Sequence, residues 1–281
     1  MKELTKVINA VVTSDGDGVK INRIGGRALN ALLDPFLMID EINSDAAADY
    51  IGGFPEHPHR GFETITYMKT GRMHHRDHMG NEGVIEAGDV QWMTAGRGVL
   101  HSEMPEPATD LQNKGLLHGF QIWLNLPAAE KMKAAAYCEL PTKNIAEILT
   151  AKGSLIRAIA GDVSANGIEL AGSLPKMSTQ PVLLDIELQI DDSIELAFNS
   201  PNPVRVYVYQ GSLKEGVKQG QLAVFSKGES LSLSSGTKGA KLLLISGKAL
   251  HEPIVQHGPF VMNSIEQIER AIRDYQTGQL V

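Results

Sequence analysis

Apolar and polar residues alternate along most of this chain with a period of two, the mark of half-buried strands. Val19-Lys20-Ile21-Asn22-Arg23-Ile24 shows the alternation near the start. Val182, Leu184, Ile186, Leu188 and Ile190, interleaved with Leu183, Asp185, Glu187 and Gln189, show it again in the second half. Between them lie short β-rich runs: Phe36–Glu41, Phe62–Met68, Met73–Asp77, Val84–Glu86, Val90–Met93, Val99–Met104 and Leu117–Leu126. Later runs are Val204–Tyr209, Leu222–Phe225, the pair Leu231/Leu233, and Lys241–Ser246. A first strand is expected over Thr5–Thr13, closed by the Ser14-Asp15-Gly16-Asp17-Gly18 turn. Glycine turns recur about every eight to twelve residues, the rhythm of an antiparallel sandwich or barrel.

Two stretches break the pattern. Ala128–Ala136 has helix-forming composition, and a short helical piece is expected near Ile145–Leu149, so a linker is placed at 131–150. Near the end, Ser264 and Gln267 make a capping box that opens a helix with Ile265, Ile268, Ile272 and Tyr275 as its apolar stripe, ended by Gly278. The expected division is a first β domain over 1–130, the linker, a second β domain over 151–247, and a tail with its helix over 248–281. The two β segments share length and turn rhythm, which makes an internal duplication plausible. The second has no histidine between Ser154 and Gly247.

Composition narrows the function classes. The chain has 281 residues, 42% hydrophobic and 21% charged, with formal net charge −7. That is globular composition without the basic footprint of a nucleic-acid binder, so no direct nucleic-acid binding is expected. The single cysteine, Cys138, has no internal disulfide partner, which fits a reducing compartment, and it is read as an ordinary thiol. The first residues lack a signal-type apolar run, and no stretch approaches the ~18–20 apolar residues of a membrane span. The expectation is a cytoplasmic protein that does not engage membranes.

Chemistry concentrates at His57-Pro58-His59 and His101-Ser102-Glu103. Residues i and i+2 of a strand share a face, ~6–7 Å apart along the backbone. Two such strands facing one another could hold one metal ion with three imidazoles and one carboxylate. A nitrogen- and oxygen-rich set suits Zn, Fe, Cu, Ni or Co and leaves positions open for chemistry, unlike a closed cysteine-rich structural zinc site. Glu63, four residues after His59, falls on the same face by strand parity. It is open to three roles: a fifth ligand, a partner that fixes an imidazole tautomer, or a buried acid paired with Arg60 or Arg97. The second is carried forward.

His74, His75 and His78 form a rival cluster. His74 and His75 point to opposite faces of a strand and cannot chelate together, so rim positions are expected. His118, His251 and His257 are lone histidines; His257, flanked by Gly258-Pro259, is a candidate to cover the pocket. Trp92 and Trp123 read as core or pocket wall. Gly96-Arg97-Gly98 precedes a strand and not a helix, which argues against a phosphate loop.

The long runs His57-Pro58-His59-Arg60-Gly61-Phe62-Glu63-Thr64, Gly88–Gly98 and His101-Ser102-Glu103-Met104-Pro105, with the later His257–Asn263, resemble the signature of the pirin family within the cupin superfamily. The resemblance spans nearly the whole chain. It implies an all-β bicupin: two antiparallel jelly-roll barrels, the first metal-bearing and the second without metal, with a short linker helix and a C-terminal helix. It implies one divalent metal, Fe in many members, with Zn, Cu, Ni, Co or Mn as alternatives, on His57, His59, His101 and Glu103. Some members resemble quercetin 2,3-dioxygenase in activity; others are described as transcriptional cofactors or enzyme-binding regulators. The first expectation is therefore a dioxygenase of a flavonol-like substrate with Glu103 as base. The alternatives are a metal-dependent redox-sensing regulator that binds a transcription factor or metabolic enzyme, and another cupin enzyme such as an isomerase or a dioxygenase of a different enol.

Overall fold

A computed structural model describes residues 1–175 and 177–281. The chain forms two compact units, one of Val11–Thr142 with Leu250–Val281, the other of Met1–Ala10 with Lys143–Ala249. The expected first strand is two strands broken at Ala10. β1 (Leu4–Asn9) pairs antiparallel with Gln221–Phe225, while β2 (Val11–Asp15) pairs with β3 (Val19–Gly25). Ladder pairing, not sequence neighbourhood, thus decides which unit each strand joins.

The first unit is two large antiparallel sheets and a short hairpin, Val255–His257 paired with Phe260–Met262. β4 (Phe36–Ser44), β5 (Phe54–His59), β6 (Phe62–Thr70), β7 (Arg72–Asp77), β8 (Glu82–Ile85), β9 (Val90–Thr94), β10 (Val99–Glu106), β11 (Leu117–Asn125) and β12 (Ala136–Leu140) supply the other strands of the two large sheets. One sheet runs β12-β9-β6-β11-β4-β3-β2, the other β5-β10-β7-β8. Val19, Ile21, Ile42, Tyr50, Met68, Met73, Ile85 and Leu117 pack one part of the interior. Apolar burial of this kind stabilises by ~25 cal/mol per Å².

The helix expected over 128–136 is not formed. Ala128–Glu130 is one 3-10 turn, and Ala136–Leu140 is β12, which adds to the edge of β9 with Ala136 opposite Thr94. The piece expected near Ile145–Leu149 is likewise a strand, Ala146–Leu149, paired with Leu155–Ala160. Tertiary pairing overrides helical propensity at both places. The C-terminal helix, Ile265–Gln276, carries the full capping box: Ser264 Oγ accepts from the Gln267 N–H and the Gln267 side chain accepts from the Ser264 N–H. Its buried face is Ile268 and Ala271, while Ile265 and Tyr275 of the expected stripe are exposed.

The second unit is also antiparallel β, and its interior is filled by aliphatic side chains such as Ile156, Leu184, Ile186, Val206, Leu233, Leu242 and Leu244. No helix of the described residues is long and apolar enough to cross a membrane.

Candidate metal centre

β5 and β10 are neighbours, and their register sets His57 directly opposite His101. His59 lies two residues along β5 on the same face, so three imidazoles converge. One ring nitrogen from each lies within 4.8 Å of the others. The ring centroids are 4.7 Å apart for His57–His59, 4.4 Å for His57–His101 and 4.9 Å for His59–His101. His59 and His101 are buried, and His57 is half-buried, so the cluster opens on the His57 side.

The protonation pattern favours a ligand set. His57 Nδ1 lies 2.8 Å from the Pro55 carbonyl oxygen, so it carries the proton and leaves the Nε2 lone pair free. That Nε2 sits 3.0 Å from His59 Nε2. Burial, and then the neighbouring His57, hold His59 well below the usual imidazole range. His101 is held well below it too, first by burial and then by His59, His57 and His75. Neutral imidazole is the form that binds metals. Both ring nitrogens of His101 are buried without a hydrogen-bond partner, and a neutral imidazole carries a lone pair on one of them, an arrangement that costs free energy unless something accepts it. A divalent ion fits that demand.

Glu103 is almost wholly buried, on β10 past an irregularity in the β5 pairing that follows His101. Its carboxylate is not among the atoms that converge within 4.8 Å. Oε1 accepts from the Thr66 hydroxyl at 3.1 Å, and Oε2 accepts from the Gln121 amide at 2.7 Å. A carboxylate offers about four lone-pair sites, so two remain for other partners. Thr66 and Gln121 also line a small interior cavity of about 20 Å³, room for about one water.

Glu63 does not follow its expected role. It is buried, but Oε1 accepts from the Thr94 hydroxyl at 2.7 Å and faces the Lys133 ammonium at 3.4 Å. No bond joins it to an imidazole, to Arg60 or to Arg97. The parity argument fails because the chain turns at Gly61 (φ 91°), leaving β5 for β6 in the other sheet. A Cβ at Gly61 would lie 2.0 Å from the Val261 carbonyl oxygen, so glycine is required there. Arg60 turns instead toward the C-terminal segment: it donates to Asp274 at 2.7 Å, to the Leu280 carbonyl at 3.3 Å, and to the Arg97 carbonyl.

His75 is not a rim residue. It is buried on β7 opposite Glu103, with its ring centroid 5.3 Å from that of His101 and 5.0 Å from that of Tyr137. Burial lowers its pKa, against the pull of Glu103 and Asp77. His74 and His78 do lie outward; His74 pairs with Glu106 at 2.9 Å, and His78 meets the Leu100 backbone. His118 is bonded to Glu41 at 3.0 Å, and His257 is exposed on a short hairpin. Trp123 is pocket wall, as expected, with its ring against His59 and Phe62. Trp92 is core. Gly98 is needed for packing, since a Cβ there would lie 2.2 Å from the Leu280 carbonyl oxygen.

Sequence reasoning missed Thr66, Gln121 and His75. The signal for Gln121 is an amide inside the apolar run Leu117–Leu126, which it shares with Asn125, because a polar side chain facing a barrel interior needs a partner.

Known proteins share this architecture. The Pirin family model matches residues 18–124, and the model of the pirin C-terminal cupin domain matches residues 183–281. A Pseudomonas aeruginosa protein named "Putative quercetin 2,3-dioxygenase" is 44% identical over 95% of this chain and 94% of its own. The crystal structure of quercetin 2,3-dioxygenase from Acinetobacter baumannii superposes with a TM-score of 0.88 at 32% identity, covering 100% of this chain and 98% of that one. A bacterial pirin from Escherichia coli, solved in complex with nickel(II), shares the fold at 20% identity and a TM-score of 0.60, covering 86% of this chain and 97% of that one.

Proposed function

The chain belongs to the pirin family of cupins, and from that premise we propose that it is a metal-dependent dioxygenase of the quercetin 2,3-dioxygenase type, acting on a flavonol or similar enol. The observation that carries the reading is the convergence of three imidazoles, two of them deeply buried and neutral, beside a buried carboxylate held at both oxygens. His57, His59, His101 and Glu103 would hold one divalent ion, Fe by family resemblance, with Zn, Cu, Ni, Co or Mn as alternatives. Such an ion supplies a Lewis-acidic centre for an enol oxygen and for dioxygen.

The protein's own part follows from its side chains. The half-buried His57 marks the side from which substrate arrives. Glu103 takes the proton of the substrate hydroxyl on a lone pair that Thr66 and Gln121 leave free. Phe62 and Trp123, packed on His59, keep its ring fixed and water away from that side. The heterocycle then opens with incorporation of dioxygen and loss of CO. The test is oxygen uptake and CO release by metal-loaded protein given quercetin. Metal-dependent turnover that Glu103→Ala removes is expected. No turnover, or turnover indifferent to Glu103→Ala, overturns the reading.

A second reading has its own observation: the unit built on Lys143–Ala249 has an interior packed mainly with aliphatic side chains, joined by Phe198 and Phe225, and no ligand cluster among the described residues. That suits a regulatory protein in which the metal senses redox state and the metal-free barrel serves binding. Recovery of a protein partner from lysate that depends on metal oxidation state supports it; indifference to both metal and redox state counts against it.

A further inference from the structure

We infer that Gln121 and Trp123 act together as a positioning pair for Glu103, with Trp123 selecting the one amide orientation in which Gln121 donates to the carboxylate. This rests on the reading of Glu103 as a metal-site residue.

Gln121 and Trp123 are two apart on β11 and share its inward face. The Trp123 indole N–H donates to Gln121 Oε1 at 3.1 Å, and Gln121 Nε2 donates to Glu103 Oε2 at 2.7 Å. A carboxamide can turn over, exchanging its acceptor and donor ends. An indole N–H can only donate. With Trp123 in place the amide oxygen must face the indole, and the NH₂ must face Glu103. The flipped amide would set oxygen against carboxylate oxygen and N–H against N–H. Thr66, directly across from Gln121 on β6, donates to the other carboxylate oxygen.

Trp123 acts on a second ligand as well. Its ring meets that of His59 edge-on, centroids 5.4 Å apart, and packs on Phe62 at 4.3 Å. One side chain on β11 therefore sets the orientation of Glu103 on β10 through Gln121, and that of His59 on β5 by direct contact. Losing the indole N–H while keeping an aromatic ring removes the first effect and leaves most of the second. Trp123→Phe is that change.

The experiment titrates Co²⁺ into the full chain against a chromophoric chelator and records the visible band of the bound ion. Partners that orient metal ligands are worth about 10- to 100-fold in affinity, so Gln121→Leu is expected to weaken Co²⁺ binding about tenfold or more, and Trp123→Phe severalfold. Because both act through one hydrogen-bonded chain, the double variant binds no more weakly than Gln121→Leu alone, and all three shift the band the same way. Gln121→Asn, which keeps the amide but shortens its reach, gives the same comparison if Gln121→Leu does not fold. A double variant whose losses multiply shows that Trp123 merely packs, and overturns the inference. So does an unchanged Gln121 variant when Glu103→Ala binds weakly. Glu103→Ala with wild-type Co²⁺ affinity overturns the ligand role of Glu103 together with its positioning pair, and marks that failure as distinct.

Discussion

Lys131 is a buried charge held by three acceptors outside the imidazole cluster. Its ammonium is buried and donates to three oxygens: the Gly61 carbonyl and Asn125 Oδ1, each at 2.6 Å, and the Val261 carbonyl at 3.0 Å. Three donors meet three acceptors, which ties the turn after His59 to the end of β11 and to the C-terminal segment. Lys131→Met keeps the volume but strands these acceptors, and is expected to cost about 3 kcal/mol in denaturant unfolding. Burial pushes the Lys131 pKa from 10.5 down to about 7, with Glu252 working against the shift. Between those values the unfolded chain binds more protons than the folded one. This residue therefore makes stability rise with pH from about 7 to 10.5, and level off below that window. The Lys131→Met variant should lose that part of the slope, measured as unfolding free energy against pH; an unchanged slope contradicts the assignment. Glu63→Gln, by contrast, alters only bonds to Thr94 and Lys133, and should leave metal affinity unchanged in a chelator competition.

The same residues show what a sequence can display. His57, His59 and His101 were legible because i, i+2 spacing on a strand is a geometric statement in itself. Glu63 was misplaced because parity counts only within one strand, and the chain changes sheets at Gly61. His75 and His74 cannot chelate together on one strand, yet the same alternation that separates the two turns His75 inward beside Glu103. Lys131 sat inside a run whose alanines and lysines resemble a solvated helix, and nothing local announces its three buried acceptors.

At the scale of elements, the C-terminal helix starts at the cap its sequence predicts, because capping is decided within four residues, whereas its buried face, Ile268 and Ala271, is set by packing. Ser264→Ala removes the acceptor for the Gln267 N–H and should cost about 1 kcal/mol of stability by thermal or chemical unfolding. The helix also carries Asp274, the ionic partner of the buried Arg60 next to His59. Asp274→Ala leaves that guanidinium with carbonyl partners only, and a loss of about 2–3 kcal/mol is expected. A loss near zero would show that the carbonyls of Arg97 and Leu280 suffice. β12 shows the limit of local reading: it takes strand conformation because the edge of β9 offers it a ladder, an influence from more than forty residues away.

For the whole molecule, strand rhythm and family resemblance reveal two antiparallel β units, and pairing alone reveals their make-up. Period-two alternation shows that Thr5–Thr13 is extended but cannot show that β1 completes the sheet of Gln221–Phe225 while β2 pairs with β3. The absence of histidine between Ser154 and Gly247 has its counterpart in structure: an apolar interior with no ligand set among the described residues. The cluster of His57, His59 and His101 is the one such group among the described residues, and the proposed metal centre is accordingly single. The most direct test is elemental analysis of protein purified without chelator, alongside His59→Ala and His101→Ala. The account predicts one divalent ion per wild-type chain and none in either variant. A wild-type chain that holds no ion, or variants that keep theirs, would contradict it.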